Sequence, residues 1–264
     1  GMTNIFDTHA HYSSRQFDAD RAALLKALPE GGVVGVLECA THSGDAARVL
    51  ELAHAAPYIH AAIGIHPESL IEEDAATVAV YHGDWRAELA AMRPLFEDKA
   101  VVAVGEIGLD HHWPVPRQEQ YALFEAQLQL AKELDLPVSV HDREAHAEMY
   151  ELLRKYKPRG ALHCYSGSAE DAVWLVEQGL YLGFGGAVTY KGAKRAAKVL
   201  AAIPHERALL ETDCPYMAPE PVRGTRNDSR NIAHVAAYIG TIWQMDAQTV
   251  LDVTAENART CFGV

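Results

Sequence analysis

The chain has 264 residues, 49% of them apolar and 22% charged, as in an ordinary globular protein. Its formal net charge of −13 excludes a basic face over the whole surface, so any contact with long nucleic acid would be local or made through metal. We expect no membrane span, since no apolar run approaches about 18 residues, and a cytoplasmic location, since the four cysteines form no C-x-x-C pair.

Short apolar runs rich in strand-forming residues recur along the chain and alternate with helical patterns. Residues 117–134 carry the clearest helical spacing, and 43–56, 85–97, 168–178 and 190–202 are similar. Two further helices, 230–243 and 246–260, close the chain. The strand runs are 4–8, 33–39, 59–64, 101–107, 136–141, 160–164, 180–186 and 207–212.

Eight β-then-α units in 264 residues predict an α/β protein with a (β/α)8 TIM barrel. A doubly wound open sheet is the alternative. It is disfavoured because no G-x-G-x-x-G or P-loop pattern follows the first strand. No linker, repeat or low-complexity tract divides the sequence, so we predict one domain over residues 1–264.

The first strand leads directly into polar residues, in the run IFDTHAH at 5–11. Alternate residues of a strand project to the same face, so Asp7, His9 and His11 would point the same way. Neighbouring imidazoles suit a divalent cation. A chance H-x-H pair is the alternative in a chain with fourteen histidines.

Polar or ionisable residues end six of the eight predicted strands, each directly after an apolar run. Any one of them has a structural explanation, such as a buried histidine with a hydrogen-bond partner or a carboxylate that caps a turn. Together they would gather at the carboxyl rim of a barrel, where catalytic groups lie, and burying them unpaired would cost several kcal/mol. These residues are His9, His11, His66, Glu106, Asp110, His141, His163 and Asp213.

This rim suits two divalent ions, because imidazole and carboxylate are ligands of zinc-like metals and a carboxylate can bridge a pair of ions. We predict that His9, His11 and Asp213, from the neighbouring strands 1 and 8, hold one ion. His141 and His163, from strands 5 and 6, would hold the other. Glu106, at the end of strand 4, would bridge them.

A set of ordered motifs resembles the TatD family of metal-dependent hydrolases, within the amidohydrolase-like barrels. No single motif is specific, but the ordered set across the whole chain is. The resemblance implies the same metal ligands and a divalent-metal-dependent deoxyribonuclease activity, including removal of nucleotides from 3′ ends. The motifs are DTHAH, GIHP, GEIGLD, HDREA, HCYSG, ETDCPYMAP and RGTRN.

Two departures from the family pattern lie near the expected substrate mouth. His111 and His112 follow GLD, where the family commonly has an aromatic residue. Arg226-Asn227 runs into Asp228-Ser229, where the family commonly has an acidic residue and proline. Both departures concern the substrate more than the metal ligands.

A two-metal hydrolysis assigns roles to three further kinds of group. Asp213 is placed to take a proton from the metal-activated water, or serves as a ligand alone. His66 would donate a hydrogen bond to a phosphate oxygen, or fix the turn before Pro67. Arg223 and Arg226, in the loop after strand 8, would bind substrate phosphates, and Asp7 would orient a metal-binding histidine.

The leading hypothesis is a metal-dependent phosphodiesterase that acts on DNA ends. The alternatives are an amidase, lactonase or esterase of a small molecule, and a metal-holding barrel that serves as a binding partner. Four imidazoles favour zinc, manganese or cobalt over magnesium, whereas the family is usually described as magnesium-dependent. The sequence indicates no protein partner.

Overall fold

The computed structural model describes residues 1–264 and contains eight strands and ten α-helices. None of the helices is both long enough and apolar enough to span a membrane. The strands are β1 (Ile5–Ala10), β2 (Val33–Cys39), β3 (Ile59–Ile63), β4 (Val101–Asp110), β5 (Val138–Arg143), β6 (Gly160–Leu162), β7 (Tyr181–Phe184) and β8 (Ala208–Leu210). The helices are α1 (Arg21–Ala27), α2 (Ser43–Ala55), α3 (Ala76–Ala79), α4 (Trp85–Met92), α5 (Arg117–Leu134), α6 (His146–Tyr156), α7 (Ala169–Glu177), α8 (Lys194–Ala202), α9 (Ile232–Trp243) and α10 (Ala247–Phe262).

All eight predicted strands are confirmed, and they form one sheet in the order β1-β2-β3-β4-β5-β6-β7-β8. Strands that follow chain order, with helices between them, have the topology of the predicted (β/α)8 TIM barrel. A doubly wound sheet would reverse its strand order part-way across, so that alternative is wrong.

The predicted helices are confirmed, with one difference in extent and three helices that were not predicted. The segment 85–97 is helical only to Met92 and continues as a 3-10 turn over Arg93–Glu97, because Pro94 has no amide hydrogen for the α-helical pattern. Three helices, α1, α3 and α6, were not predicted. Strand β4 extends to Asp110, beyond the predicted end at 107.

Two compact units can be distinguished, one made of residues 1–38 and 163–264 and the other of residues 39–162. In the first unit, all six residues of β1 are buried, as expected of a parallel strand covered on both faces. Helix α10 is tied to β8 by Asn257, whose amide nitrogen donates to the carbonyl of Ala208 at 2.8 Å. The helix ends at Gly263, with a φ of 69° that suits glycine.

In the second unit, two buried glutamines of α5 hold the ends of β3 and β4. Gln127 accepts from the amide of Ile65 at 2.8 Å and donates to its carbonyl at 2.9 Å. Gln120 makes the same pair of bonds to Asp110, at 2.7 and 2.9 Å. The two glutamines are seven residues apart, about two helical turns, and so lie on one face of α5. That face fixes the turn that carries His66 and the strand end beyond Glu106.

Candidate metal centre

Three histidines and an aspartate converge in the first unit, and we call them the first ligand cluster (His9, His11, His163 and Asp213). The Nε2 atom of His11 lies 3.2 Å from Oδ1 of Asp213. The Nε2 atoms of His9 and His163 lie 3.7 and 3.8 Å from the same oxygen. The rings of His9 and His163 stack with their centroids 3.5 Å apart. The candidate ligand atoms of His9, His11 and Asp213 all lie within 4.8 Å of one another, which suits one shared cation.

The convergence follows from the end of β1. His9 and His11 alternate there as predicted, and the backbone of Asp213 runs alongside, since its amide donates to the carbonyl of His9 at 2.8 Å. Asp213 has a left-handed backbone, with a φ of 60°, which aspartate tolerates better than most residues. Burial opposes ionisation of Asp213, but the nearby His163, His11 and His9 hold its pKa below the usual value. A charged carboxylate is what a metal ligand needs.

Asp7 supports this cluster through the backbone and not through an imidazole. Its fully buried carboxylate accepts from the amide of His9 at 3.1 Å, from the hydroxyl of Thr212 at 2.6 Å and from the hydroxyl of Ser229 at 2.7 Å. Burial raises the pKa of Asp7 to about 7, against these hydrogen bonds, which lower it. Asp7 therefore positions His9 by holding β1 to the segment after β8.

Glu211 is a functional residue that the sequence reasoning missed. It is 2% exposed, accepts from Nδ1 of His163 at 2.8 Å, and accepts from the amide of Cys164. A proton on Nδ1 makes Nε2 the candidate ligand atom of His163, and Nε2 lies 3.8 Å from Oδ1 of Asp213. A sequence signal existed: Glu211 and Asp213 alternate, as His9 and His11 do. A Cβ at Gly183 would lie 2.9 Å from this carboxylate, so glycine there makes room for it.

Two further polar residues of the first unit were also missed. Glu38 is fully buried and accepts from the amides of Tyr12 and Ser13 at 2.8 and 2.9 Å, which fixes the turn after His11. Burial raises the pKa of Glu38 to about 7. Asn227, also fully buried, donates to the carbonyls of Thr212 and Tyr216 and so holds the chain on either side of Asp213.

The second unit holds the second ligand cluster (His66, Glu106, Asp110 and His141). His141 lies between two carboxylates, with Nε2 at 2.8 Å from Oδ2 of Asp110 and Nδ1 at 3.3 Å from Oε2 of Glu106. Burial disfavours the charged imidazole, but hydrogen bonds to Asp110 and Glu106 raise the pKa of His141 to about 10. Burial likewise opposes ionisation of Asp110, yet the bond from His141 lowers its pKa to about 2. This part of the site carries concentrated negative charge, which a cation would balance.

His66 has one function on each ring nitrogen. Its Nδ1 accepts from the amide of Glu68 at 3.0 Å and caps the turn Pro67–Leu70. Its Nε2 lies 3.4 Å from Oε2 of Glu106. Because Nδ1 is an acceptor, the proton of the neutral ring is on Nε2, and His66 presents a donor on the side of Glu106. The two predicted roles of His66, in the turn and in the site, are therefore compatible.

The two predicted substrate-binding arginines differ in their surroundings. Arg226 makes a two-point contact with the carboxylate of Asp20, at 2.8 and 2.6 Å, and donates to the carbonyl of Gln16 at 3.0 Å. Arg223 lies with its guanidinium 3.7 Å above the ring of Tyr190. Both side chains are exposed, but the guanidinium of Arg226 is occupied by its hydrogen bonds to Asp20 and Gln16.

A model of the family described as TatD related DNase matches residues 6–263 of the chain. The chain belongs to this family. A relative from Bacillus subtilis, the uncharacterized metal-dependent hydrolase YabD, is 36% identical over 98% of this chain and 99% of its own length. The 3′-5′ ssDNA/RNA exonuclease TatD of Erwinia tasmaniensis is 32% identical over 98% of this chain and 100% of its own length.

The solved structure of the TatD homologue YjjV from Escherichia coli is also similar to this chain. It superposes with a TM-score of 0.88 at 32% identity and covers 99% of this chain and 98% of its own. The TatD family membership confirms the predicted resemblance and the TIM-barrel fold. The protein is a metal-dependent hydrolase, and each unit offers the imidazole and carboxylate donors that such an enzyme needs: His9, His11 and Asp213 in the first unit and His66, Glu68 and His141 in the second.

Proposed function

We propose that the protein hydrolyses phosphodiester bonds at the ends of single-stranded DNA, with two divalent ions. Related proteins named as TatD are 3′-5′ ssDNA/RNA exonucleases, which supports nucleic acid as the substrate. The observation that carries the proposal is the meeting of three imidazoles at one oxygen of Asp213. The metal is zinc, manganese or magnesium, and the imidazole ligands favour zinc and manganese. We place the enzyme in the cytoplasm.

The ligands of the ions would be His9, His11, His163 and Asp213 in the first cluster and Glu106 and His141 in the second. Bound divalent ions supply a water of lowered pKa and a counter-charge for phosphoryl oxygens. Two parts of the predicted arrangement stay predictions from the sequence: that His163 shares an ion with His141, and that Glu106 bridges the two ions.

Three side chains of the protein support separate roles in the hydrolysis. The three histidines approach Oδ1 of Asp213, while its side chain is 22% exposed, so Oδ2 is available to take a proton from the attacking water. His66 can donate from Nε2 to a phosphate oxygen, because Nδ1 is held by the turn. Glu211 keeps the ligand nitrogen of His163 turned to the site.

The test is cleavage of an end-labelled single-stranded oligonucleotide with magnesium or manganese, beside Glu106→Gln and the control Glu51→Gln. Glu51 is an exposed residue of α2 in the same unit, so its variant removes one carboxylate without touching the site. We expect metal-dependent shortening by the wild type and by Glu51→Gln, and a loss of shortening in Glu106→Gln. Metal content is measured on all three proteins by mass spectrometry. No shortening by a metal-loaded wild type would overturn the DNA assignment.

The net charge of −13 favours a second candidate, hydrolysis of a small uncharged ester, lactone or amide, because an acidic surface repels long nucleic acid. The same proteins are therefore assayed on a lactone and a neutral ester. Cleavage of these with no cleavage of DNA would establish the second candidate.

A further inference from the structure

One tryptophan of the second unit has an exposed side chain and a backbone amide that bonds to Asp110 of the second ligand cluster. Trp113 is 47% exposed, whereas Trp85 and Trp243 are almost fully buried and Trp174 is half-buried. A single exposed apolar side chain is common on protein surfaces. The position of Trp113, three residues after the end of β4, is what gives it meaning.

The backbone of Trp113 is held by the carboxylate that also holds a predicted metal ligand. Oδ2 of Asp110 lies 2.8 Å from Nε2 of His141. Oδ1 of the same residue accepts from the amides of His112 and Trp113, at 2.9 and 3.3 Å. One carboxylate therefore links the tryptophan turn to the imidazole of His141.

The turn that presents the indole is restrained on both sides. Pro114 and Pro116 restrict the backbone that follows, and the amide of Val115 donates to the carbonyl of Trp113 at 2.8 Å. The ring of His112 stands perpendicular to the indole, with centroids 4.9 Å apart. The ring is thus held in place before any ligand arrives, so that little ordering remains to be done on binding.

A cation lies next to this ring. Arg143, at the end of the paired strand β5, is exposed and has its guanidinium over one face of the indole, 5.9 Å from the ring centroid. Its carbonyl accepts from the amide of His111 at 2.9 Å, which fixes the two strand ends together. An aromatic face with a guanidinium beside it is the combination that binds a base and its phosphate in single strands.

We propose that Trp113 stacks on the nucleobase next to the scissile phosphodiester and so makes the enzyme select unpaired ends. The assignment rests on the proposed function. Every base has a π-face, so stacking tolerates any sequence, but in a duplex that face is covered by neighbouring bases. Arg143 contacts a phosphate of the same strand. Trp113 is a specificity-determining residue and not part of the hydrolytic chemistry.

The test crosses protein variants with substrates that differ only in their bases. The proteins are the wild type, Trp113→Ala, Trp113→Phe and a control, Trp174→Ala, on α7. The substrates are a single-stranded oligonucleotide, the same oligonucleotide with abasic nucleotides at its cleaved end, and a blunt duplex. Each protein is first loaded with manganese and its metal content is measured.

The wild type is expected to cleave the normal strand about tenfold better than the abasic strand, the order of effect that one base–aromatic stack produces. Trp113→Ala should lose this preference through a higher KM on the normal strand, with its rate on the abasic strand unchanged. Its preference for single strand over duplex should fall as well. Trp113→Phe should keep most of both preferences, and Trp174→Ala should behave as the wild type.

The abasic strand also reports folding, since a damaged site would lose activity on every substrate. If Trp113→Ala lost activity equally on the normal and abasic strands, or lost none on either, the stacking assignment would be overturned. The proposed nuclease activity would still stand. A metal-loaded wild type that cleaves none of the strands would instead overturn the proposed function, and the stacking assignment with it.

Discussion

The two ligand clusters differ in the balance of imidazole and carboxylate. In the first cluster three imidazoles approach one oxygen of Asp213, whose pKa their charges lower. The second cluster has two imidazoles and two carboxylates, and His141 lies between the carboxylates, which raise its pKa to about 10. Imidazole-rich sites favour zinc-like ions and oxygen-rich sites favour magnesium or manganese. The two clusters therefore differ in the kind of metal ion that their donors favour.

The supporting residues differ in the same way. Asp7 and Glu38 in the first unit accept mainly from backbone amides and hydroxyls, and burial raises the pKa of each to about 7. Asp110 in the second unit bonds an imidazole directly, and its pKa is lowered to about 2. Asp7 and Glu38 thus position the segment of His9 and His11 through the backbone, whereas Glu211 in the first unit and Asp110 in the second each bond a histidine ring directly.

Asp213→Asn should reduce activity most, because it removes the candidate proton acceptor and at the same time weakens a candidate metal ligand. We expect kcat on single-stranded DNA to fall about 10³-fold, within the range for a positioned general base. Steady-state rates at saturating manganese measure it. Glu51→Gln is the unaffected control. A variant that kept normal turnover would show that Asp213 is not the base.

Two variants, Glu211→Gln and Asp110→Asn, test the supporting carboxylate of each unit. Each replaces a carboxylate bonded to a candidate ligand histidine, and each should weaken metal binding or activity about 10- to 100-fold. Asp110→Asn should be the more severe, because its amide would face Nε2 of His141 and the remaining oxygen must serve two backbone amides.

Metal titration by calorimetry measures both variants, and Glu51→Gln again serves as the control. Affinity equal to that of the wild type in both variants would mean that neither carboxylate orients its histidine.

The buried amides that brace the two clusters should affect stability more than chemistry. Gln127→Ala leaves the amide and carbonyl of Ile65 without their partners, at a cost of about 1–3 kcal/mol. Asn227→Ala should have a similar cost in the first unit. Thermal unfolding measures both, with Gln129→Ala as a control, since Gln129 is exposed on the same helix as Gln127. Unchanged melting in Gln127→Ala would contradict the bracing role.

The smallest effects on activity should come from substitutions of Arg223 and Arg226, the two arginines of the loop after β8. Arg223→Ala should reduce the salt dependence of KM for DNA by a slope of about 1, as expected for the loss of one phosphate contact. Arg226→Ala should change it less, because the guanidinium of Arg226 is bound to Asp20. KM measured from low to high salt distinguishes them. If Arg226→Ala changed the salt dependence of KM more than Arg223→Ala did, the phosphate contact would belong to Arg226 instead.

Much of the fold was readable because its signals are local. Apolar runs bounded by turn residues located all eight strands, and the alternation of His9 and His11 placed both on one face of β1. Helices α1 and α3 were missed since seven and four residues hold little periodic signal. Helix α6 was missed although its eleven residues place Met149, Leu152 and Leu153 at helical spacing.

The sequence by itself determined the succession of strands and the candidate metal ligands that end them, because periodicity is a property of neighbours within one element. Only the tertiary structure decided which groups support those ligands. His163 finds Glu211 across 48 positions, and Asp7 finds Ser229 across 222. Such pairs depend on strand register and on how the loops fold back, and neither leaves a trace in local spacing.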